Sequence, residues 1–186
     1  LLALAGHHNL LLVGPPGSGK TLLAKTIPSL LPPPSEEELL AIAKLHELSH
    51  NPSKNIIRPF RSPHHSSSSC AIIGGGNPII PGEISLSHCG VLFLDELPEF
   101  SHQVLESLRQ PLEDHQITIS RAKEKVTFPA NFILVATMNP CPCGFHGSHV
   151  RECTCTNQEV LRYQKRISGP ILDRIDIKLY VPYLGN

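Results

Sequence analysis

The sequence predicts a single α/β domain, a three-layer core around a parallel central sheet, from three observations. Short apolar runs alternate with stretches of helical spacing along the chain. One run leads directly into Gly14-Pro-Pro-Gly-Ser-Gly-Lys-Thr21, and a second ends in Asp95-Glu96. Strands that alternate with helices are joined by crossovers, which makes them parallel and covers both faces of the sheet. A chain of 186 residues suits one such domain with a sizeable core.

Residues 1–5 read as the last turn of a helix, with Gly6 as its left-handed cap. Residues 9–13, Asn-Leu-Leu-Leu-Val, are an apolar run before a Gly-rich turn, as a buried parallel strand should be. Helical spacing runs over 20–31 until Pro32-Pro33-Pro34 stops it. Ser35-Glu-Glu-Glu38 is a capping box, opening a helix to about Ser49 because hydroxyl and carboxylate each satisfy a backbone donor. Residues 50–90 are rich in Pro, Ser, Gly and His, and a stretch this long between core elements is more often functional than idle. Residues 91–94 are a second buried strand, followed by a helix over 101–114 that Pro111 should disturb. Residues 117–119 and 125–128 read as hairpin arms around Ser120-Arg-Ala-Lys-Glu124, and 132–137 as a third buried strand. A Cys-rich loop spans 141–155, Thr156-Asn-Gln-Glu159 caps a helix to about Ile167, and 175–181 form a last strand.

Composition narrows the function classes. Sixteen basic and 16 acidic side chains balance to zero, which excludes a generally basic surface and leaves nucleic-acid contact to a local patch. Thirteen Gly and 18 Pro stay below the roughly 25–30% typical of low-complexity disorder. No apolar run approaches the ~18 residues of a spanning helix and no signal peptide opens the chain, so a soluble, cytoplasmic protein without a membrane partner is expected. The sole methionine is Met138, which suggests a piece of a longer protein.

Gly14 to Thr21 matches G-x-x-x-x-G-K-[ST] between a predicted strand and helix, the context that gives the pattern its meaning. Glycines let backbone N–H groups turn inward around phosphates at a helix N-terminus. The expected ATP contacts are Gly14, Pro15, Pro16, Gly17, Ser18, Gly19, Lys20, Thr21 and Leu22, with Lys20 reaching the β- and γ-phosphates and Thr21 on Mg²⁺. Asp95 and Glu96 stand at the C-terminal end of an apolar strand, where α/β sheets bind ligands. Asp95 fits a partner of Mg²⁺ and its water, and Glu96 the base that polarises the attacking water. Asn139 ends a third apolar strand and could hold that water or the γ-phosphate, although Asn before Pro140 also suits a turn. Together they predict hydrolysis of a nucleoside triphosphate.

In this order the three elements resemble the AAA+ ATPases. Pro59-Phe-Arg-Ser-Pro-His-His-Ser66, Gly74-Gly-Gly-Asn-Pro-Ile-Ile-Pro-Gly-Glu-Ile-Ser85, Gly90-Val-Leu-Phe-Leu-Asp-Glu-Leu-Pro-Glu-Phe100 and Ser168-Gly-Pro-Ile-Leu-Asp-Arg-Ile-Asp176 narrow the resemblance to magnesium-chelatase-like AAA+ proteins of the YifB/ComM type, over nearly the whole chain. The resemblance implies a hexameric ring motor with ATP bound between neighbours, and for the ComM type a DNA helicase that promotes branch migration. It makes residues 58–88 an insertion in the second helix and 116–128 a β-hairpin before the sensor strand, both facing the ring's pore. It matches Arg174 to the arginine finger that reaches a neighbour's site, the alternative being a local ion pair with Asp173 or Asp176; Arg166 is the second candidate finger. Residues 1–186 then form the ATPase core, with an N-terminal domain and a C-terminal helical lid outside this chain, and the core alone is expected to hydrolyse ATP weakly.

Cys141-Pro-Cys143 and Cys153-Thr-Cys155 carry four thiols at a spacing that suits a structural tetrahedral Zn²⁺. His146 and His149 could replace a cysteine; reduced thiols and disulfides are the other readings, the latter disfavoured in a reducing compartment. Cys70 and Cys89 read as ordinary buried or half-buried thiols, and His7, His8, His64 and His65 as scattered polar histidines. Arg121, Lys123 and Lys125 at the hairpin tip are candidate contacts to single-stranded or branched DNA, with Arg58 and Arg61 beside them; a solvated charged turn is the plain alternative. Two other functions remain open. One is the motor subunit of a magnesium chelatase acting on a porphyrin, from which the Cys-rich loop and the Pro-His-His-Ser segment depart. The other is a nucleotide-gated assembly protein, which would need neither Glu96 nor Asn139.

Overall fold

The computed structural model describes residues 6–49, 57–121 and 124–183. In chain order the strands are β1 (Leu10–Val13), β2 (Phe60–Arg61), β3 (Gly74–Gly75), β4 (Ile80–Pro81), β5 (Val91–Leu94), β6 (Gln116–Arg121), β7 (Glu124–Pro129), β8 (Ile133–Met138) and β9 (Ile177–Tyr180). The α-helices are α1 (Lys20–Thr26), α2 (Glu36–Leu48), α3 (Ser69–Ile73), α4 (Glu83–Leu86), α5 (His102–Ser107), α6 (Arg109–Asp114), α7 (Asn157–Gln164) and α8 (Gly169–Leu172). Five strands form the central sheet in the order β2-β5-β8-β1-β9, and every neighbouring pair is parallel. The expected α/β core is therefore present.

Alternation along the strands builds the three layers. Val91 and Phe93 of β5 join Leu10, Leu12, Ile133 and Val135 in one apolar layer with Ala24 and Ile27. Leu92 and Leu94 point the other way, with Leu11, Leu134 and Ala136, into the larger core under α3–α5 and the β6–β7 hairpin. The residues between are buried on one face or the other, so these strands read as continuous apolar runs.

Several boundaries move, each for a local reason. The helix expected over 20–31 is α-helical only to Thr26 and continues as a 3₁₀ turn, Ile27–Leu30, because Pro28 lacks the N–H that an α-helix needs. The helix expected over 101–114 divides at Leu108 into α5 and α6, which places Pro111 in the first turn of the second piece. The left-handed residue near the start is His7, at φ 53°, and not Gly6; the helical turn expected over 1–5 lies outside the described residues. Helix α7 ends at Gln164 and β9 starts at Ile177, both inside the expected spans. Both capping boxes form: Ser35 Oγ accepts from Glu38 N while Glu38 accepts from Ser35 N, and Thr156 with Glu159 repeats the pattern.

The segment taken as insertion holds a strand the sequence does not reveal. Phe60 and Arg61 pair with Val91 and Leu92, so β2 is the sheet's edge and the excursion proper follows it. The β3–β4 ribbon of that excursion packs on the hairpin, since a Cβ on Gly74 would stand 2.5 Å from Ile119 Cδ1. A Cβ on Gly75 would stand 3.3 Å from Arg121 Nη2, so excursion and hairpin lie side by side.

Candidate functional site

Strand order brings the three chemical elements together. Because β8 sits between β5 and β1, the turn after β1, the acid pair after β5 and Asn139 after β8 leave the C-terminal end of the sheet as neighbours. Leu94 pairs with Ala136 and Val13 with Met138, which sets Asp95 beside Thr137. Gly14 enters the turn between two backbones: its N–H donates to Met138 O, and a Cβ there would stand only 2.2 Å from Val181 O. No other residue fits that passage.

Within the turn Gly17 and Gly19 take φ 75° and 84°, the left-handed region that aims successive N–H groups inward. Lys20 is 8% exposed, and its Nζ donates to Gly14 O and Pro15 O at 2.8 Å each and to Asn139 Oδ1 at 3.3 Å. Burial lowers the pKa of its ammonium below the usual lysine range, while Asp95 and Glu96 pull it back up. Thr21 Oγ1 donates to Asp95 Oδ2 at 3.0 Å, so the two expected Mg²⁺ partners already meet. Ser18 Oγ is buried with no hydrogen-bond partner among the described residues. A buried hydroxyl without a partner is costly unless a ligand serves it, so the cradle fits a polyphosphate with its divalent cation. Leu22, the last expected contact, is 72% exposed on α1.

Glu96 has φ 55° and ψ 52°, left-handed for a residue with a side chain, which carries about 1 kcal/mol of strain. Its N–H donates to Thr137 Oγ1 at 3.0 Å, and Thr137 Oγ1 in turn donates to Asp95. Thr137 is 1% exposed and locks both acids to β8. Sequence reasoning missed it, although it is the one polar residue among the apolar ones of 132–138. His65, named from the sequence only as a polar histidine, stands beside the acids: its Nδ1 lies 3.8 Å from Glu96 Oε2, and its ring meets Phe100 edge-on at 6.3 Å. It belongs to the site's surroundings rather than to a scatter of polar histidines.

The candidate fingers are both in ion pairs within this chain. Arg174 Nη2 lies 2.9 Å from Glu113 on α6, so its partner is neither Asp173 nor Asp176; Asp176 instead accepts from Asn9 N. Arg166 holds Glu99 at 2.9 Å and Pro98 O at 3.0 Å. Pairs this exposed are worth about 1 kcal/mol or less, so either cation is easily released. Among the DNA candidates Arg121 and Lys125 are exposed on the hairpin, and Lys123 lies outside the described residues. Arg58 and Arg61 are bound elsewhere: Arg58 grips both oxygens of Glu38, and Arg61 both oxygens of Glu83. Those two tie α2 and α4 to the sheet edge and are not free for phosphate.

The four loop cysteines converge. Cys141, Cys143, Cys153 and Cys155 place their sulfurs within 4.8 Å of one another, with Cys141–Cys143, Cys143–Cys153 and Cys141–Cys153 at 3.4, 3.6 and 3.7 Å. A disulfide needs about 2.05 Å, whereas a tetrahedron with Zn–S near 2.3 Å has edges of about 3.8 Å. Neither His146 nor His149 belongs to this group, and both are exposed. Desolvation would raise Cys143, but the N–H groups of Phe145 and Thr154 and the nearby sulfurs outweigh it and bring it down to about 5. The Cys143 N–H lowers Cys155, yet desolvation and its sulfur neighbours push that thiol up to about 12. The sulfur spacing fits a single bound cation. Cys70, expected to be at least half-buried, is exposed; Cys89 is half-buried.

All of residues 1–186 match the family model described as magnesium chelatase, subunit ChlI. The chain belongs to this family. Among relatives, this family member is 54% identical over 182 residues to YifB of Escherichia coli strain K12 and 53% identical over 182 residues to YifB of Salmonella typhimurium. It is 51% identical over 189 residues to the competence protein ComM of Haemophilus influenzae. These alignments cover 96–98% of the chain but 35–36% of the relatives, so the chain spans about a third of their length. The structure of NtrX from Brucella abortus in complex with ADP superposes with a TM-score of 0.59 at 15% identity, over 95% of this chain and 32% of that one, a likeness of fold alone. The family's AAA+ core is therefore the fold of this chain. No helix among the described residues is long and apolar enough to cross a membrane.

Proposed function

We propose that this chain is the ATP-hydrolysing motor core of a ring-forming DNA helicase of the ComM type. The convergence of Lys20, Thr21, Asp95, Glu96 and Asn139 at the C-terminal end of the sheet carries the reading. Backbone N–H groups of residues 17–21 bind the phosphates, and Lys20, pulled from two carbonyls, neutralises the γ-phosphoryl oxygens. Thr21 and Asp95 would hold Mg²⁺, which supplies charge neutralisation across the β- and γ-phosphates. Glu96 takes the proton of the attacking water, and Asn139 orients that water from the end of the neighbouring strand. Arg174, released from Glu113, serves the neighbouring subunit's site in a hexamer. Arg121, Lys123 and Lys125 would contact DNA phosphates from the pore, without base readout.

The test is ATP hydrolysis by the full-length protein with and without single-stranded and branched DNA at two salt concentrations. Stimulation of several-fold that fades with salt is the expected result, since phosphate contacts release counterions. Hydrolysis indifferent to DNA would move the reading to the family's other work, a chelatase motor acting on a porphyrin. Binding without turnover would leave a nucleotide-gated assembly protein.

We also propose that the cysteine quartet holds a structural Zn²⁺, on the strength of the near-tetrahedral sulfur spacing. Protein purified without chelator should carry close to one equivalent of zinc. Less than about a tenth of an equivalent would reject the site.

A further inference from the structure

The Cys-rich loop and the phosphate turn touch at one point. A Cβ on Gly144 would stand 2.5 Å from Pro16 Cδ, 2.7 Å from Pro16 Cγ and 3.8 Å from Asn139 Cγ. Gly144 lies at φ 88° in a turn closed by its own N–H to Cys141 O at 3.0 Å. The same loop leaves the sheet through Asn139-Pro140-Cys141, so a wholly buried cysteine follows Asn139 by two residues. Gln164 of α7 donates to Pro140 O at 3.1 Å and holds that short link from the far side. Asn139 Oδ1 meets Lys20 Nζ, so the link continues into the phosphate turn itself.

We propose that the four-cysteine loop sets the geometry of the phosphate turn, Gly144 seating Pro16 while Cys141 anchors Asn139, so that a metal held by the loop tightens ATP binding. The metal clause rests on the zinc reading above; the Gly144–Pro16 contact does not. Proline is a stiff neighbour, and a side chain at 144 must displace either the phosphate turn or the loop. Sub-ångström precision in such a cradle is what binds and orients a polyphosphate. The loop is thus a positioning element, acting on the nucleotide through Pro16 and Asn139 without touching it.

A paired substitution separates contact from backbone strain. Gly147 lies in the same loop at φ 72°, and a Cβ there meets no described atom within 4 Å. Gly144→Ala and Gly147→Ala therefore introduce similar left-handed strain, but only the first adds an atom against Pro16. The measurement is titration of the full-length protein with a fluorescent ATP analogue in excess Mg²⁺, alongside zinc content. Gly144→Ala should weaken analogue binding by about tenfold or more, Gly147→Ala by less than about twofold, and chelator-stripped wild type should follow Gly144→Ala. Unchanged affinity in Gly144→Ala overturns the proposal, as does equal weakening in both variants, which would mean strain alone. Wild type that carries no zinc rejects the metal reading, while the comparison of the two glycines still decides the contact.

Discussion

Glu96→Gln should leave ATP binding within about twofold and lower hydrolysis by about 10²–10⁴-fold, the range for loss of a general base. Gln keeps the volume of Glu and one acceptor oxygen, but its amide cannot take a proton from water. The backbone at 96 is held from outside the side chain, by the N–H to Thr137 Oγ1, so the left-handed turn should survive the substitution. The phosphate turn with Lys20, and the bond from Thr21 to Asp95, do not involve the Glu96 side chain, which is why affinity persists. Analogue titration and phosphate release, measured on the same full-length preparation, distinguish the two effects. Turnover that survives would remove Glu96 from the role of base and turn attention to the residues around it, His65 first, at 3.8 Å.

Arg58→Ala should destabilise the fold by about 2 kcal/mol, the scale for losing hydrogen bonds between charged groups at a half-buried site. Arg58 is 12% exposed and serves five acceptors: both Glu38 oxygens at 3.1 and 3.0 Å, Pro32 O, Pro33 O and Cys89 O. It fastens the Pro-rich turn and the first turn of α2 to the end of the excursion before β5. In a domain of this size the change corresponds to a fall of roughly 4–8 °C in Tm. A pH series adds a second check. The Arg58 hydrogen bonds, then the Ser35 N–H, hold the Glu38 carboxyl below its usual value of 4.5. A carboxyl whose folded pKa is depressed stabilises fully above its unfolded pKa and loses that contribution as pH falls through the folded value. The gap in Tm between wild type and Arg58→Ala should therefore narrow as pH drops from 6 toward 3. A gap that stays constant would mean that Arg58 acts through its carbonyl contacts alone.

Much of the site was legible because its parts are local. The phosphate turn needs glycines at left-handed positions beside a lysine and a threonine, and all of these lie within eight consecutive residues. The two capping boxes are likewise written over four residues each, and both form. The cysteine pairs carried their chemistry in their spacing. Strand β2 was hidden because two residues leave no periodicity to detect, and because its pairing partner lies about thirty positions away. Arg58 and Arg61 looked like candidates for phosphate because charge can be read from a sequence while its partner cannot.

The sequence by itself determined the chemical kit: a phosphate turn, two carboxylates after an apolar strand, an asparagine after another, and four thiols in one loop. Only the tertiary structure decided what each piece faces. Placing β8 between β5 and β1 joined Lys20 to Asn139 and made Thr137 the link between the acids and the third strand. Packing directed Arg174 to Glu113 and set Gly144 against Pro16. The division has a physical cause. Backbone demands and capping bonds are satisfied within a few residues and leave their mark in local sequence, whereas partners brought from distant segments are chosen by strand order and close packing.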